Sequence, residues 1–485
     1  MLLFFYDFYM FKKINFMKRF PTDFVWGTAT SSYQIEGGAL QDGRAWSIWD
    51  AFAHTPERTY NGEHGDIACD HYNRYKEDVK LMADLGLKAY RFSISWSRIQ
   101  PDGQGAINPK GVEFYNNLID ELLKYNIIPW VTLYHWDLPL ALQTEKDGWL
   151  NPEIADSFAK YAGICFEYFG DRVKNWTTLN EPWVVAILGY GEGVFAPGRK
   201  SKNEPYQAAH QLLRSHGKAV QLYRTKYQDT QKGQIGINNN CDWREPLTGS
   251  QEDKEAAQRS LEFFLGWFAD PIYFGDYPKV MRDRVGDRLP KFTEEDVALI
   301  KGSSDYFGLN HYTGLYASDV DPNATVQKQV YGNGGIYEDQ YVQLTADPAW
   351  KMTTMNWAIL PWGCRKLLEW ISERYGNPPL YITENGCALA DTLENGEVKD
   401  IVRKEFIESY LAAGHKAIEN GVNLRGYFVW SFMDNFEWAL GYSKRFGIHY
   451  VDYDTLKRTP KNSALWYKKT IANNGFEFSL SEKDI

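Results

Sequence analysis

Eight short apolar runs, rich in β-branched and aromatic residues, recur along this chain and restrict its fold more than any other feature. They are FVWGTAT (24–30), KAYRFSI (88–94), IIPWVTL (127–133), KNWTTLN (174–180), QIGINNN (234–240), DYFGLNH (305–311), LYITENG (380–386) and LRGYFVWS (424–431). Amphipathic helical patterns lie between several of them. In YNRYKEDVKLMADLG, Tyr75, Val79, Met82 and Leu85 recur at spacings of four, three and three, giving one buried face before Gly86 stops the helix. The stretches 157–170 and 406–421 repeat that pattern, and each ends at a glycine. Near-continuous apolar strands alternating with helices imply a parallel sheet covered by helices. Eight such units in 485 residues predict a (β/α)8 barrel with its active site at the C-terminal ends of the strands. An open doubly wound sheet is disfavoured, because no glycine-rich phosphate loop follows the first run.

No linker or abrupt shift in composition divides the chain, so a single α/β domain with elaborated βα loops is expected over residues 17–470, with 471–485 as a tail. The opening MLLFFYDFYMFKKINF (1–16) is aromatic-rich, too short to span a bilayer, broken by Asp7, and followed by no small-residue cleavage site. It reads as a non-structural leader or misassigned start ahead of Met17, with a weak export signal as the alternative. The stretch 318–355, rich in Gly, Asp and Tyr, is expected to be a long loop after the sixth strand, shaping the mouth.

Two runs end alike. TTLNEP (177–182) and YITENG (381–386) each set one glutamate at the end of an apolar run, against a chain breaker. Pro182 biases Glu181 away from helical geometry, so Glu181 is expected to be extended, at the last position of the fourth strand. Asn385-Gly386 signals a turn directly after Glu384, in the seventh. In a barrel those strand ends face each other across the mouth. Two facing carboxylates suit glycosidic bond cleavage, one donating a proton to the leaving oxygen while the other attacks or activates water. Either glutamate alone would as readily make an ion pair at the rim; the pair with these flanks favours chemistry.

Other strand-end residues converge on the same mouth. Arg91 is placed near the pocket floor, where it would keep a neighbouring carboxylate charged. Asn180, His135 and Gln34 are candidate partners for sugar hydroxyls. Trp136 would line the cleft, and Glu437 with Trp438 would supply hydrogen bonds and a stacking face. Taken singly, each is more often a turn former, a core aromatic or a rim polar group.

Composition narrows the alternatives. A net charge of -10 with no basic run argues against nucleic acid or an anionic membrane as partner. Five scattered cysteines without CxxC spacing indicate neither a disulfide framework nor a zinc site, and reduced thiols in a cytoplasmic protein are the simplest reading. The nine histidines contain no HxH or HExxH, and no GxSxG occurs, so neither a metal-dependent nor a serine hydrolase is indicated.

In order, the segments FVWGTATSSYQIEGG, YRFSISWSRIQP, TLYHWDLP, TLNEPW, GLNHYT, YITENG and YFVWSFMDNFEWALGYSKRFG resemble the motifs of glycoside hydrolase family 1, the β-glucosidase family, over residues 18–470. The resemblance implies a retaining mechanism without cofactor or metal, on a small β-glucoside or oligosaccharide substrate, with homo-oligomerisation possible. Glu181 matches the acid/base and Glu384 the nucleophile, which in retaining enzymes lie about 5–5.5 Å apart. Arg91 and Tyr312 match the residues that hold the nucleophile. Gln34, His135, Asn180, Trp430, Glu437 and Trp438 match the glycone subsite, with Trp136, Asn310 and Phe446 placed among the substrate contacts. Trp357 matches the aglycone wall, and Trp183 and Leu188 lie towards the entrance.

Members acting on 6-phosphorylated sugars resemble one another in a serine, a lysine and a tyrosine that hold phosphate. Here Glu437 and Phe446 replace the serine and tyrosine, and only Lys444 remains. An anionic Glu437 would repel phosphate, so a non-phosphorylated sugar is expected, with galactoside or fucoside turnover as a side activity. Plant thioglucosidases carry glutamine at the acid/base position; Glu181 is retained here. His311 replaces a tyrosine common in the family and is expected at the pocket rim. A 6-phospho-β-glucosidase, a transglycosidase and a non-catalytic sugar-binding barrel are the remaining alternatives.

Overall fold

In a computed structural model, residues 17–320, 336–481 and 485 are described, so the expectation for residues 1–16 lies outside the described residues. Eight parallel strands close into a barrel: β1 (Val25–Ala29), β2 (Ala89–Ser93), β3 (Ile128–Tyr134), β4 (Asn175–Asn180), β5 (Gln234–Asn240), β6 (Phe307–Asn310), β7 (Leu380–Asn385) and β8 (Leu424–Trp430). They pair in sequence order, and β8 returns to β1. Each expected run coincides with one of them, because barrel strands are covered on both faces and are apolar throughout.

The helices form the outer layer. His71–Leu85 buries Val79, Met82 and Leu85, and Gly86 ends it in the left-handed conformation at φ 74°. The other two helices depart from the glycine-stop expectation. Ile154–Phe169 is followed by Gly170 at φ -71°, which any residue could adopt, and Ile401–Glu419 ends at Asn420, one residue before Gly421.

The barrel interior is layered. At its floor Trp130 packs against Tyr381, Phe428 and Tyr306 at ring-centroid distances of 4.8, 5.3 and 5.4 Å. Above it lies a polar layer fixed by strand register, where Asn180 pairs with Asn238, Asn240 with Asn310, and Asn310 with Glu384.

Two features depart from the expected boundaries. Val342–Thr345, inside the expected loop after β6, pairs with Gly314–Asp319, which in turn pairs with Trp243–Pro246 from the segment after β5. The segment Gly475–Glu477, in the expected tail, pairs antiparallel with Met17–Arg19. Among the described residues no helix is long and apolar enough to cross a membrane. The five cysteines are all free and buried.

Candidate active site

A cavity of about 570 Å³ opens at the C-terminal ends of the strands. That is within the usual size of a small-molecule site. Glu181, Asn310, Tyr312, Trp136, Trp357, Glu437 and Trp438 contribute to its wall, as do Trp183 and Leu188. Arg91, Glu384, Asn180, His135, Gln34, Trp430 and Phe446 are all buried beside it.

Glu384 is gripped at both oxygens. Arg91 Nη1 donates to Oε1 at 2.5 Å, and the Tyr312 hydroxyl donates to Oε2 at 2.7 Å. Arg91 is wholly buried, so its charge must be met on every side. Its Nη2 donates to Asn180 Oδ1 at 2.5 Å, and Nη1 also reaches the Thr383 carbonyl at 3.3 Å. With the Asn238 amide oriented oxygen-inward, that oxygen accepts from Nε and Nη2, both at 3.0 Å. Asn238 reaches this position because Gly308 lies beside it; a Cβ there would meet Asn238 Oδ1 at 2.0 Å. Burial, with the charges of Glu384 and Glu181 in support, keeps the Tyr312 hydroxyl protonated well above the usual tyrosine range.

Glu181 differs from the sequence expectation in conformation. β4 ends at Asn180, and Glu181 adopts φ 48°, ψ 64°, the left-handed region, before the short helix Pro182–Val184. Proline excluded right-handed helix at Glu181 as expected, but the chain turned left-handed to start a helix with Pro182 at its first position. Asn385 likewise stays in β7, so the turn signal acts one residue later than expected; Gly386 follows, where a Cβ would meet the Trp430 carbonyl oxygen at 1.8 Å.

The Glu181 carboxyl is buried, and Asn310 Nδ2 donates to its Oε1 at 2.7 Å. Burial first, then the negative charge of Glu384, holds it protonated well above the usual carboxylate range, against the Asn310 hydrogen bond, which favours ionisation. One carboxyl is thus held by a cation and a phenol, and the other is pushed towards its neutral form.

The remaining residues fall into two groups. Asn180, Asn310 and Gln34 spend their amides on protein partners. Asn180 Oδ1 also accepts from Asn310 Nδ2 at 3.0 Å, Asn310 Oδ1 accepts from Thr383 at 2.7 Å, and Gln34 Nε2 donates to Asn435 Oδ1 and the Phe436 carbonyl at 3.0 and 2.8 Å. Two others keep polar atoms free. Asn180 Nδ2 donates to His135 Nε2 at 3.1 Å, so the imidazole proton sits on Nδ1, which is buried without a hydrogen-bond partner. Burial and the Arg91 charge hold His135 neutral. Glu437 Oε2 is likewise without a partner. Burial and the Glu384 charge push Glu437 up to about 8, so near neutrality it is largely protonated and the repulsion of phosphate expected from its charge is weak.

Aromatic rings frame these atoms. Trp438 stacks on His135 at 5.9 Å and packs on Trp136 at 4.6 Å, and Trp430 also stacks on His135, at 6.0 Å. Trp136 Nε1 donates to the Asn180 carbonyl at 2.9 Å. Phe446 and Trp357 pack with Tyr312, at 6.1 and 5.3 Å. His311, expected at the rim, is instead wholly buried behind β6, with Nδ1 against the Cys241 carbonyl at 2.9 Å and burial holding it neutral at about 4.

Sequence reasoning missed Asn238, although it lies in the asparagine run that ends β5. It also missed Asp242, Lys200 and Met355, which sit in loops without a periodic signal, and Phe264, in the helical segment Glu262–Gly266.

The family model for glycosyl hydrolase family 1 matches residues 16–476. The chain is 49 % identical over 469 residues to "Beta-glucosidase 1" of Oryza sativa subsp. japonica, covering 94 % of this chain and 90 % of that one. A Thermotoga maritima family 1 glycoside hydrolase, solved with a cyclophellitol analogue transition-state mimic, superposes with a TM-score of 0.89 at 48 % identity, covering 95 % of this chain and all of the other. A mutant rice β-glucosidase solved in a covalent complex with Glc gives 0.88 at 46 % identity, covering 93 % and 98 %. Together with these matches, two buried carboxyls at the ends of β4 and β7 of a (β/α)8 barrel mark a glycoside hydrolase. The chain belongs to glycosyl hydrolase family 1.

Proposed function

We propose that the protein is a retaining β-glucosidase that removes terminal non-reducing β-D-glucosyl residues from cellobiose, oligosaccharides or aryl and alkyl glucosides. The observation that carries this reading is the unequal treatment of the two carboxyls: Glu384 is held by Arg91 and Tyr312, while Glu181 is kept protonated by burial and by the charge of Glu384.

Glu384 attacks the anomeric carbon as Glu181 gives its proton to the leaving oxygen, so the glycosidic bond breaks while an ester to Glu384 forms. With the positive aglycone-side proton gone, Glu181 is a carboxylate. It then takes a proton from water, whose oxygen displaces Glu384 and returns the anomeric carbon to its β configuration. His135 Nδ1–H, Glu437 Oε2 and Asn240 Oδ1 are buried polar atoms available to sugar hydroxyls, and the Trp438 face is available to sugar C–H groups. A rice relative's covalent complex with Glc supports a glucosyl-enzyme intermediate.

A non-phosphorylated glycone is favoured by Glu437 and Phe446 standing where a phosphate-holding serine and tyrosine are expected, rather than by repulsion. Lys444 lies on the cavity wall, but its ammonium donates to the Thr354 carbonyl at 2.8 Å, and Phe446 offers no hydroxyl. The deciding experiment is a panel of nitrophenyl β-glycosides with and without 6-phosphate, run on wild type and Glu384→Gln. Unphosphorylated glucoside should be preferred and the variant inactive with its fold intact. Turnover by the variant at the wild-type rate, or an α-anomer as first product by NMR, would overturn the assignment.

A further inference from the structure

Outside the active site, His54, His64 and Asp66 bring three potential metal-ligand atoms within 4.8 Å of one another on the surface. They escape a motif search because the two histidines come from different segments. His54 closes the helix Ile48–Ala53, whereas His64 and Asp66 flank Gly65 in the loop that follows.

The Asp66 carboxylate offers one oxygen to each ring, with Oδ2 3.2 Å from His54 Nε2 and Oδ1 3.2 Å from His64 Nδ1. A tetrahedral zinc with ligands at about 2.0–2.1 Å has ligand–ligand edges of roughly 3.3 Å. Each Asp66–histidine contact already has about that spacing, through a different carboxylate oxygen.

The hydrogen bonding points the same way. His54 Nδ1 lies 2.8 Å from the Asp50 carbonyl, which can only accept, so the ring proton belongs on Nδ1. The neutral ring then turns the Nε2 lone pair towards a carboxylate oxygen, an acceptor facing an acceptor. A backbone carbonyl fixing one imidazole nitrogen while the other binds is the usual support of a metal-bound histidine. His64 Nδ1 and Asp66 Oδ1, though 3.2 Å apart, make no hydrogen bond of acceptable geometry. Only a fully protonated imidazole or a cation resolves both contacts.

We propose that His54, His64 and Asp66 form a binding site for a zinc-type divalent cation, with solvent in the fourth position. The imidazoles are nearly parallel, 21° apart with centroids at 4.4 Å, so one ring must turn to aim its lone pair. The His64 side chain, 41 % exposed, has room to do so. Imidazole with a single carboxylate suits zinc, nickel or copper, whereas magnesium requires octahedral oxygen ligation.

The loop carrying His64 is bonded to the segment that follows Glu437 and Trp438. Tyr442 donates its hydroxyl to the His64 carbonyl at 2.9 Å and its N–H to Glu63 Oε2 at 2.6 Å. Gly65 N donates to the Tyr33 hydroxyl at 3.3 Å, and the Tyr33 ring stacks on Trp438 at 6.1 Å. A cation clamping His64 to His54 therefore tightens the layer that backs the Trp438 face.

The test is calorimetric titration of the EDTA-treated full chain with zinc chloride, magnesium chloride serving as comparison, alongside thermal melts. One equivalent of zinc should bind and raise the melting temperature, while magnesium does neither. His64→Gln and Asp66→Asn should each weaken zinc binding by about tenfold or more while melting like wild type in EDTA; His54→Gln replaces whichever of them fails to fold. No saturable zinc uptake, or uptake by the variants equal to wild type, would overturn the proposal and leave an imidazolium–carboxylate contact only.

Discussion

Asn310 Nδ2 lies 2.7 Å from Glu181 Oε1, so the proposed acid carries a donor that favours the very form it must avoid before reaction. The bond becomes useful once Glu181 has given up its proton, when it steadies the carboxylate that must activate water. Asn310→Ala removes it. The Glu181 proton should then be held to higher pH and the alkaline limb of the kcat/KM profile should move up. A lost hydrogen bond to a charged group, worth about 1.5–3 kcal/mol, should lower the rate of glycosyl-enzyme hydrolysis by about 10- to 100-fold. Pre-steady-state burst kinetics on an aryl glucoside separate that step from the first.

Tyr312 bonds one oxygen of the other carboxyl, Glu384 Oε2. Tyr312→Phe keeps the ring against Trp357 and removes only the hydroxyl on Glu384 Oε2. A fall in kcat/KM of about 10- to 100-fold is expected, with little change in melting temperature. A variant as active as wild type would mean that Arg91 alone orients the nucleophile.

The raised Glu181 carboxyl sets a sign in both rate and stability. Its proton is required for the first step, so kcat/KM should fall as pH rises through its elevated folded value. The folded chain also retains this proton where an unfolded glutamate has lost it. The associated stability is complete below the unfolded value and disappears as pH rises through the folded one. Glu181→Gln should remove the alkaline limb, flatten the alkaline loss of stability, and slow alkyl glucosides far more than activated aryl ones.

Away from the site, Lys461 is wholly buried between Asp391 Oδ2 at 2.6 Å and Asp434 Oδ1 at 2.7 Å, with Arg403 and Arg445 sharing the same two carboxylates. Lys461→Met takes one cationic partner away from each of these buried carboxylates. Breaking one member of a buried ionic cluster costs about 3–5 kcal/mol, which a urea midpoint measured against wild type would register.

The barrel was legible because its strands are buried on both faces, so their apolar character survives without alternation. The two glutamates were legible because chain breakers follow them. Direction was harder to read. Nothing local distinguishes an extended Glu181 from a left-handed one, since the proline excludes only the helical alternative. His311 lies just past the end of a barrel strand, yet its ring turned outward to the Cys241 carbonyl rather than to the mouth. Asn238 was overlooked because its partner Arg91 is distant in sequence and the gap it enters is made by the absent side chain of Gly308. Such contacts depend on barrel closure, which no single segment encodes.

Trp136, Glu181 and Trp438, all on the cavity wall, share a backbone with positive φ, at 77°, 48° and 51°. Side-chain-bearing residues held there cost of order 1–3 kcal/mol each. An engineer selecting only for heat resistance would find these positions tempting, because glycine relaxes each of them. In the cleft a gain in thermal tolerance and retention of turnover thus pull in opposite directions. Libraries aimed at hardening the enzyme belong in the outer helices instead.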